Sequence, residues 1–95
     1  MTPEIVTFDF GTALNLLREG KKLTRAGWNG RDMFIFLVDG STFTVNRPPL
    51  NVIYAEGTEI RYRPHIDMKT VDGSIAVWTA SQSDVLASDW YEVTI

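Results

Sequence analysis

At 95 residues the chain is long enough for one domain, residues 1–95, yet a domain of this size buries only about two-thirds of its unfolded surface, so assembly into oligomers would help it. It has no cysteine and a single histidine, His65, which excludes a disulfide framework, a thiolate metal site and a multi-histidine metal centre, and is compatible with a reducing cytoplasm. With 44% hydrophobic and 22% charged residues and a net charge of −3, the composition predicts a packed fold without the basic footprint for long nucleic acids, although local donors could still hold one small anionic ligand.

Residues 1–7 lack a basic region followed by an apolar core, and no apolar run approaches the roughly 18 residues of a membrane span. The expectation is a protein neither secreted nor membrane-inserted. Asp9 is placed to cap a helix through Glu19, with Phe8 able to staple against Ala13 and Gly20 at the C-terminal end. The apolar stripe Phe10, Ala13, Leu14 and Leu17 has helical spacing. Residues 23–25 read as a short strand that ends in the loop Ala26-Gly27-Trp28-Asn29-Gly30, where two glycines flank Trp28 and Asn29.

Residues 33–38 are apolar at every position, which predicts a strand buried on both faces, one on the helix and the other on a second subunit. Asp39 and Gly40 then form a two-residue hairpin signal leading into residues 41–45, and Asn46-Arg47-Pro48-Pro49 breaks the pattern. Residues 50–55 suggest a short helical turn. In residues 58–63, Ile60 and Tyr62 alternate with charged side chains, and Pro64 marks a bend or bulge. The segment from Thr42 to Arg63 has the weakest pattern and could shape a pocket, cover an edge strand or make an oligomer contact.

A second hairpin, residues 65–71 and 74–79, flanks Asp72-Gly73. A two-residue turn there sets Met68 opposite Val77, Thr70 opposite Ile75 and Asp67 opposite Trp78, with His65, Asp67, Lys69 and Trp78 on the polar face. Ser81 caps a second short helix with Asp84 as its acidic partner, and a last strand covers residues 91–95. These elements make an α+β fold: a small antiparallel sheet with an N-terminal helix and a short C-terminal helix, assembling into a homo-oligomer.

Two constellations could bind a ligand. At Ala80-Ser81-Gln82-Ser83-Asp84, free backbone amides of a helix start and serine hydroxyls could hold a phosphate, or serve only as a structural cap. At Trp28-Asn29-Gly30, an exposed indole could stack on a base and Asn29 read a polar edge, or Trp28 could simply anchor the core. Arg25 could fork onto a phosphate or pair with a carboxylate. A hydrolytic triad of His65, Asp67 and Ser81 is disfavoured, because the first two project from one strand face about 7 Å apart and no nucleophile elbow surrounds the serine. Asp84 and Asp89 do not share a helix face well, so they read as a cap and the start of an exit turn.

The ordered set Phe10-Gly11-Thr12-Ala13-Leu14, Gly20-Lys21-Lys22, Arg25-Ala26-Gly27-Trp28-Asn29-Gly30, Met33-Phe34-Ile35, Pro64-His65-Ile66-Asp67-Met68-Lys69-Thr70, Trp78-Thr79-Ala80-Ser81-Gln82-Ser83-Asp84-Val85-Leu86-Ala87 and Asp89-Trp90 resembles the second type of phage Thoeris anti-defence family. That resemblance implies a compact α+β protomer in homo-oligomers, commonly tetramers, acting in the cytoplasm of the infected bacterial host. It implies binding of a cyclic ADP-ribose isomer, 1″–3′ glycocyclic ADP-ribose, the signal that activates the NAD-consuming Thoeris effector. The signal is sequestered and left intact, so no enzyme activity, metal or cofactor is implied. Some members also take cyclic dinucleotides or trinucleotides of CBASS defence at a separate site.

Carried over by motif, Trp28, Asn29 and Gly30 would face base or ribose and Ser81, Gln82 and Asp84 phosphate or ribose hydroxyls. Arg25 is a charge partner, and Met33 and Ala80 complete the ligand-binding set. Two rival readings remain: a hydrolase of the signal using Asp67, His65 or Asp84, and a direct protein–protein inhibitor of a Thoeris component acting through the 33–38 surface or the Trp90 end.

Overall fold

The computed structural model describes residues 5–28 and 32–94. Helix α1 is Phe10–Arg18; the Asp9 carboxylate accepts from the Thr12 amide at 2.9 Å, the expected N-cap bond. At the other end the Gly20 amide donates to the Leu17 carbonyl and the Lys21 amide to the Leu16 carbonyl, the paired bonds of a Schellman stop. Ala13 and Leu17, one turn apart, are fully buried.

Strands β1 (Lys22–Arg25), β2 (Phe34–Val38), β5 (His65–Lys69), β6 (Ile75–Val77) and β7 (Trp90–Val93) form one sheet in the order β6-β5-β2-β1-β7, with every neighbouring pair antiparallel. Helix α1 lies over one face. Leu23, Ile35 and Trp90 join Ala13 and Leu17 as its fully buried core, with Leu37, Ile66, Met68 and Trp78 packed around them. The last strand therefore begins one residue earlier than expected, at Trp90. The fold class is the expected one, small α+β with an antiparallel sheet and few helices. No helix among the described residues is long and apolar enough to cross a membrane.

The Asp39–Gly40 pair, expected to turn the chain back on itself, does not make a hairpin. Strand β3 (Ser41–Thr44) leaves the sheet and pairs with β4 (Glu59–Tyr62) in a separate two-stranded ribbon. The register carries through the corner without a slip: Val38 opposes His65, and three residues on Ser41 opposes Tyr62. β2–β3 and β4–β5 are thus two long strands interrupted where Pro64 lacks an amide to donate and Gly40 faces the Tyr62 carbonyl, which a Cβ on Gly40 would approach to 2.5 Å.

The resulting arm carries helix α2 (Leu50–Ile53) at its tip and a small core of its own. Val45 is fully buried there, and Phe43 meets Tyr62 edge-on at 5.1 Å between ring centroids. The molecule is correspondingly long, 58 × 26 × 26 Å. The expected Leu50 turn and the Pro64 bend are both present.

The second hairpin differs by one residue from its predicted register. Asp67 opposes Val77, Met68 opposes Ala76 and Lys69 opposes Ile75. The loop is longer than two residues: Gly73 N–H donates to the Thr70 carbonyl, Thr70 N–H donates to the Ser74 carbonyl, and Gly73 has φ 88°, the pattern of a type I turn closed by a left-handed glycine. The Asp72 carboxylate fixes that turn by accepting from the Ser74 hydroxyl, the Thr70 hydroxyl and the Ser74 amide. These bonds hold its pKa down to about 2.

A one-residue slip exchanges faces. Trp78, expected on the polar face, goes to the helix-covered side, its amide bonded to the Ile66 carbonyl. Ile75 and Val77 go to the other side and stay exposed. Residues 33–38 are also not buried on both faces within the protomer, since only Ile35 is fully covered. Phe34, Phe36, Val38, Ile75 and Val77 share an open sheet face with His65, Asp67 and Lys69.

Candidate ligand-binding site

The site grows from the start of α3 (Gln82–Leu86). Ser81 is its N-cap, in extended backbone (φ −76°, ψ 166°), and its hydroxyl accepts from the Asp84 amide while the Asp84 carboxylate accepts from the Ser81 amide. This is the predicted capping box. Asp84 does more than cap, however. Its Oδ1 also accepts from Arg25 Nη1 at 2.8 Å and from the Trp28 indole Nε1 at 3.1 Å. One carboxylate therefore joins the two segments that the sequence could present only as separate loops.

Arg25 reaches Asp84 because β1 pairs with β7, placing Arg25 opposite Trp90 at the sheet edge. Asp89 lies just before that strand, and its Oδ1 accepts from Arg25 Nε at 2.8 Å while Oδ2 accepts from the Gly27 amide at 2.8 Å. Asp84 and Asp89, which share no helix face, converge on one guanidinium brought by a third element. The arginine and Asp84 side chains are only 17% and 12% exposed. Of the two expectations for Arg25, carboxylate pairing is the one realised in the protomer.

These contacts set the charges. Burial alone would push Asp84 up, but hydrogen bonds from Arg25, Trp28 and Ser81 outweigh it and hold the carboxyl below its ordinary range. The Arg25 hydrogen bond holds Asp89 down despite partial burial, helped by the Gly27 amide. Arg25 is raised in turn, most by Asp89 and then by Asp84. Both acids are therefore ionised at neutral pH, and two carboxylates against one guanidinium leave the cluster with an excess negative charge.

Trp28 is half-buried in a nest of aromatic rings. Its centroid lies 5.2 Å from Trp90, edge-on, and 6.4 Å from Trp78; Phe10 completes the group 5.3 Å from Trp90. The buried Trp90 indole donates to the Asp84 carbonyl at 2.9 Å, satisfying its one polar atom. All three tryptophans of the chain thus meet at the Asp84 end of α3. Trp28 is both a packing residue and partly accessible, so the two readings of it are not exclusive.

Ser81 and Gln82 are exposed beside this cluster, and Met33 and Ala80 are half-buried. Asn29 and Gly30 lie outside the described residues. Trp78 and Asp89 are the participants that sequence patterning missed. Trp78 was hidden by the register slip, and Asp89 by its separation from Arg25 along the chain; only the Asp89-Trp90 pair in the family-like pattern pointed to that end. His65 and Asp67 also correct an expectation: their side chains do touch, Nε2 to Oδ1 at 3.4 Å. Neither meets Ser81, whose hydroxyl serves the cap.

The fold and cluster together define a small α+β protein with a hydrogen-bonded aromatic and carboxylate corner, partly open to solvent, at one end of a five-stranded sheet. The chain belongs to the Thoeris anti-defense 2-like domain family, whose model matches residues 8–93. It is also similar to the protein named Thoeris anti-defense 2 from Bacillus phage SP01, 35% identical over 92 residues, covering 85% of this chain and 89% of that one. The matched span includes every site residue described above.

Proposed function

We propose that this protein is a phage counter-defence factor that captures the cyclic ADP-ribose isomer signal of Thoeris immunity, 1″–3′ glycocyclic ADP-ribose, and holds it uncleaved in the cytoplasm of the infected host. Family membership carries the anti-Thoeris role. The observation that carries the mechanism is the junction at Asp84, which ties the Trp28 segment to the Ser81 helix start. A half-buried indole held from behind by Asp84 and Trp90 offers a fixed surface for a base to stack on, and fixed partners bind more tightly than ones ordered on contact.

Within that reading Trp28, Asn29, Gly30 and Met33 face base or ribose, and Ala80, Ser81 and Gln82 face phosphate or ribose hydroxyls. Asp84 and Arg25 act mainly by holding Trp28, because their charges already satisfy one another. Cyclic dinucleotides or trinucleotides of CBASS are further candidate ligands at a separate site.

The protein works as a homo-oligomer, a tetramer by the family pattern. What supports this is the open sheet face: Ile75 and Val77 are 54% and 73% exposed beside Phe34 and Phe36, an apolar surface of the kind that marks interaction sites.

The test is retention. Protein incubated with 1″–3′ glycocyclic ADP-ribose, freed of unbound ligand and heat-denatured should release the intact molecule in stoichiometric amount. Linear ADP-ribose accumulating with turnover would replace capture by hydrolysis. No retained ligand together with a stable complex with a Thoeris protein would replace it by direct inhibition.

A further inference from the structure

The segment that carries Trp28 is tied to distant parts of the sheet on both sides of that residue. Before it, the Gly27 amide donates to Asp89, and the approach is so close that a Cβ on Gly27 would lie 2.9 Å from Asp89 Oδ2. After it, the Asp32 carbonyl accepts from Lys69 Nζ at 3.0 Å, across 37 residues of sequence. Asp32 has φ 61°, in the left-handed region that non-glycine residues seldom occupy unless something holds them there.

Lys69 is itself held in place. It opposes Phe34 on the neighbouring strand, and its ammonium sits 5.6 Å from the centre of that ring. Its ammonium also reaches a backbone carbonyl at the entrance to β2. Its direct contribution to the stability of the fold is small, since the bond is solvent-exposed.

We propose that Lys69 is a positioning residue for ligand capture, fixing Asp32 as Asp89 fixes Gly27, so that Trp28 is presented in its binding pose before the ligand arrives. The inference rests on the reading that Trp28 contacts the ligand. It assigns a function to a side chain that touches neither Trp28 nor the Asp84 cluster, and a Lys69 bond that served only the fold would leave affinity unchanged when removed without loss of stability.

The full-length wild type, Lys69→Met and Lys69→Arg are compared for affinity to 1″–3′ glycocyclic ADP-ribose, thermal midpoint, solution mass and amide exchange in residues 27–33. Lys69→Met removes the donor and keeps an unbranched apolar side chain opposite Phe34; it should weaken binding about threefold, the worth of one exposed bond from a charged group. It should also speed exchange in residues 27–33 while midpoint and mass stay at wild-type values. Lys69→Arg, which retains a donor, should bind with wild-type affinity.

Wild-type affinity in Lys69→Met overturns the proposal, as does a loss of affinity matched by a fall in midpoint or mass, or Lys69→Arg no better than Lys69→Met. If the wild type itself retains no ligand, the capture reading falls and this inference falls with it. Retention by the wild type with an indifferent Lys69→Met defeats the positioning role alone.

Discussion

Replacing Asp84 with alanine removes three hydrogen bonds to one carboxylate, from Arg25, Trp28 and the Ser81 amide. Bonds to a charged partner contribute roughly 1.5–3 kcal/mol each when well buried, and the Ser81 bond, which is one half of the capping box, about 1 kcal/mol. Two effects reduce the sum. Arg25 keeps Asp89 as a partner, and the desolvation of Asp84 is relieved when the carboxylate is gone. The expected destabilisation is about 2–4 kcal/mol, a large share of the roughly 5–14 kcal/mol available to a domain of this size. At about 4–8 °C per kcal/mol, the thermal midpoint should fall by about 8–32 °C. Asp84→Asn keeps one carbonyl oxygen for Arg25 and Trp28 and should lose less than half as much. Calorimetry on both variants, with tryptophan fluorescence as a reporter of the three-indole cluster, checks the ranking. A midpoint for Asp84→Ala within about 3 °C of wild type would refute the claim that this carboxylate organises the corner.

Trp28→Ala should weaken capture of the cyclic ADP-ribose isomer by about 1–3 kcal/mol, taking stacking on single-stranded nucleic acid as the analogy; isothermal titration on variants whose circular dichroism is unchanged reads this directly. Because Asp84 and Asp89 titrate lower in the fold than in the unfolded chain, their contribution is complete above about pH 4 and is lost as pH falls through their folded values. Thermal midpoints measured from pH 6 down to pH 3 should therefore fall more steeply for wild type than for the Asp84→Asn, Asp89→Asn double variant. Gly40→Ala brings a Cβ against the Tyr62 carbonyl and should raise amide exchange in residues 41–62 more than in the five-stranded sheet. Val77→Asp puts a charge on the open face and should lower the solution mass while leaving the protomer folded; an unchanged mass would refute an oligomer contact on this face.

Local chemistry was the legible part of this fold. Asp9 and Ser81 are short polar side chains just ahead of helical stretches, and each makes its cap with residues three positions away, so the signal and its partner share one window of sequence. The antiparallel sheet and the bend at Pro64 followed in the same way. Asp72-Gly73 misled because the same dipeptide serves a two-residue turn and a longer turn with glycine last, and the choice rests on the Thr70 and Ser74 hydroxyls around Asp72. Asp39-Gly40 misled because a glycine that admits a carbonyl and a glycine that reverses a chain look alike in sequence. At the candidate site, the Ser81 cap was legible, but its junction with Arg25 and Trp28 was not: Arg25 meets Asp84 across 59 positions and Asp89 across 64, separations at which only the strand order decides who meets whom.

The unbroken register through the Gly40–Pro64 corner has a consequence for how this molecule could vary. A ribbon whose two strands stay in step can be lengthened or shortened by two residues on each strand at a time, each such step restoring the original inside and outside faces. The distal ribbon and its helical tip are thus an extensible appendage, while the corner that carries Trp28 and Asp84 lies at the opposite end of the main sheet, along the strands. The length of the arm and the geometry of that corner can change independently in such a chain.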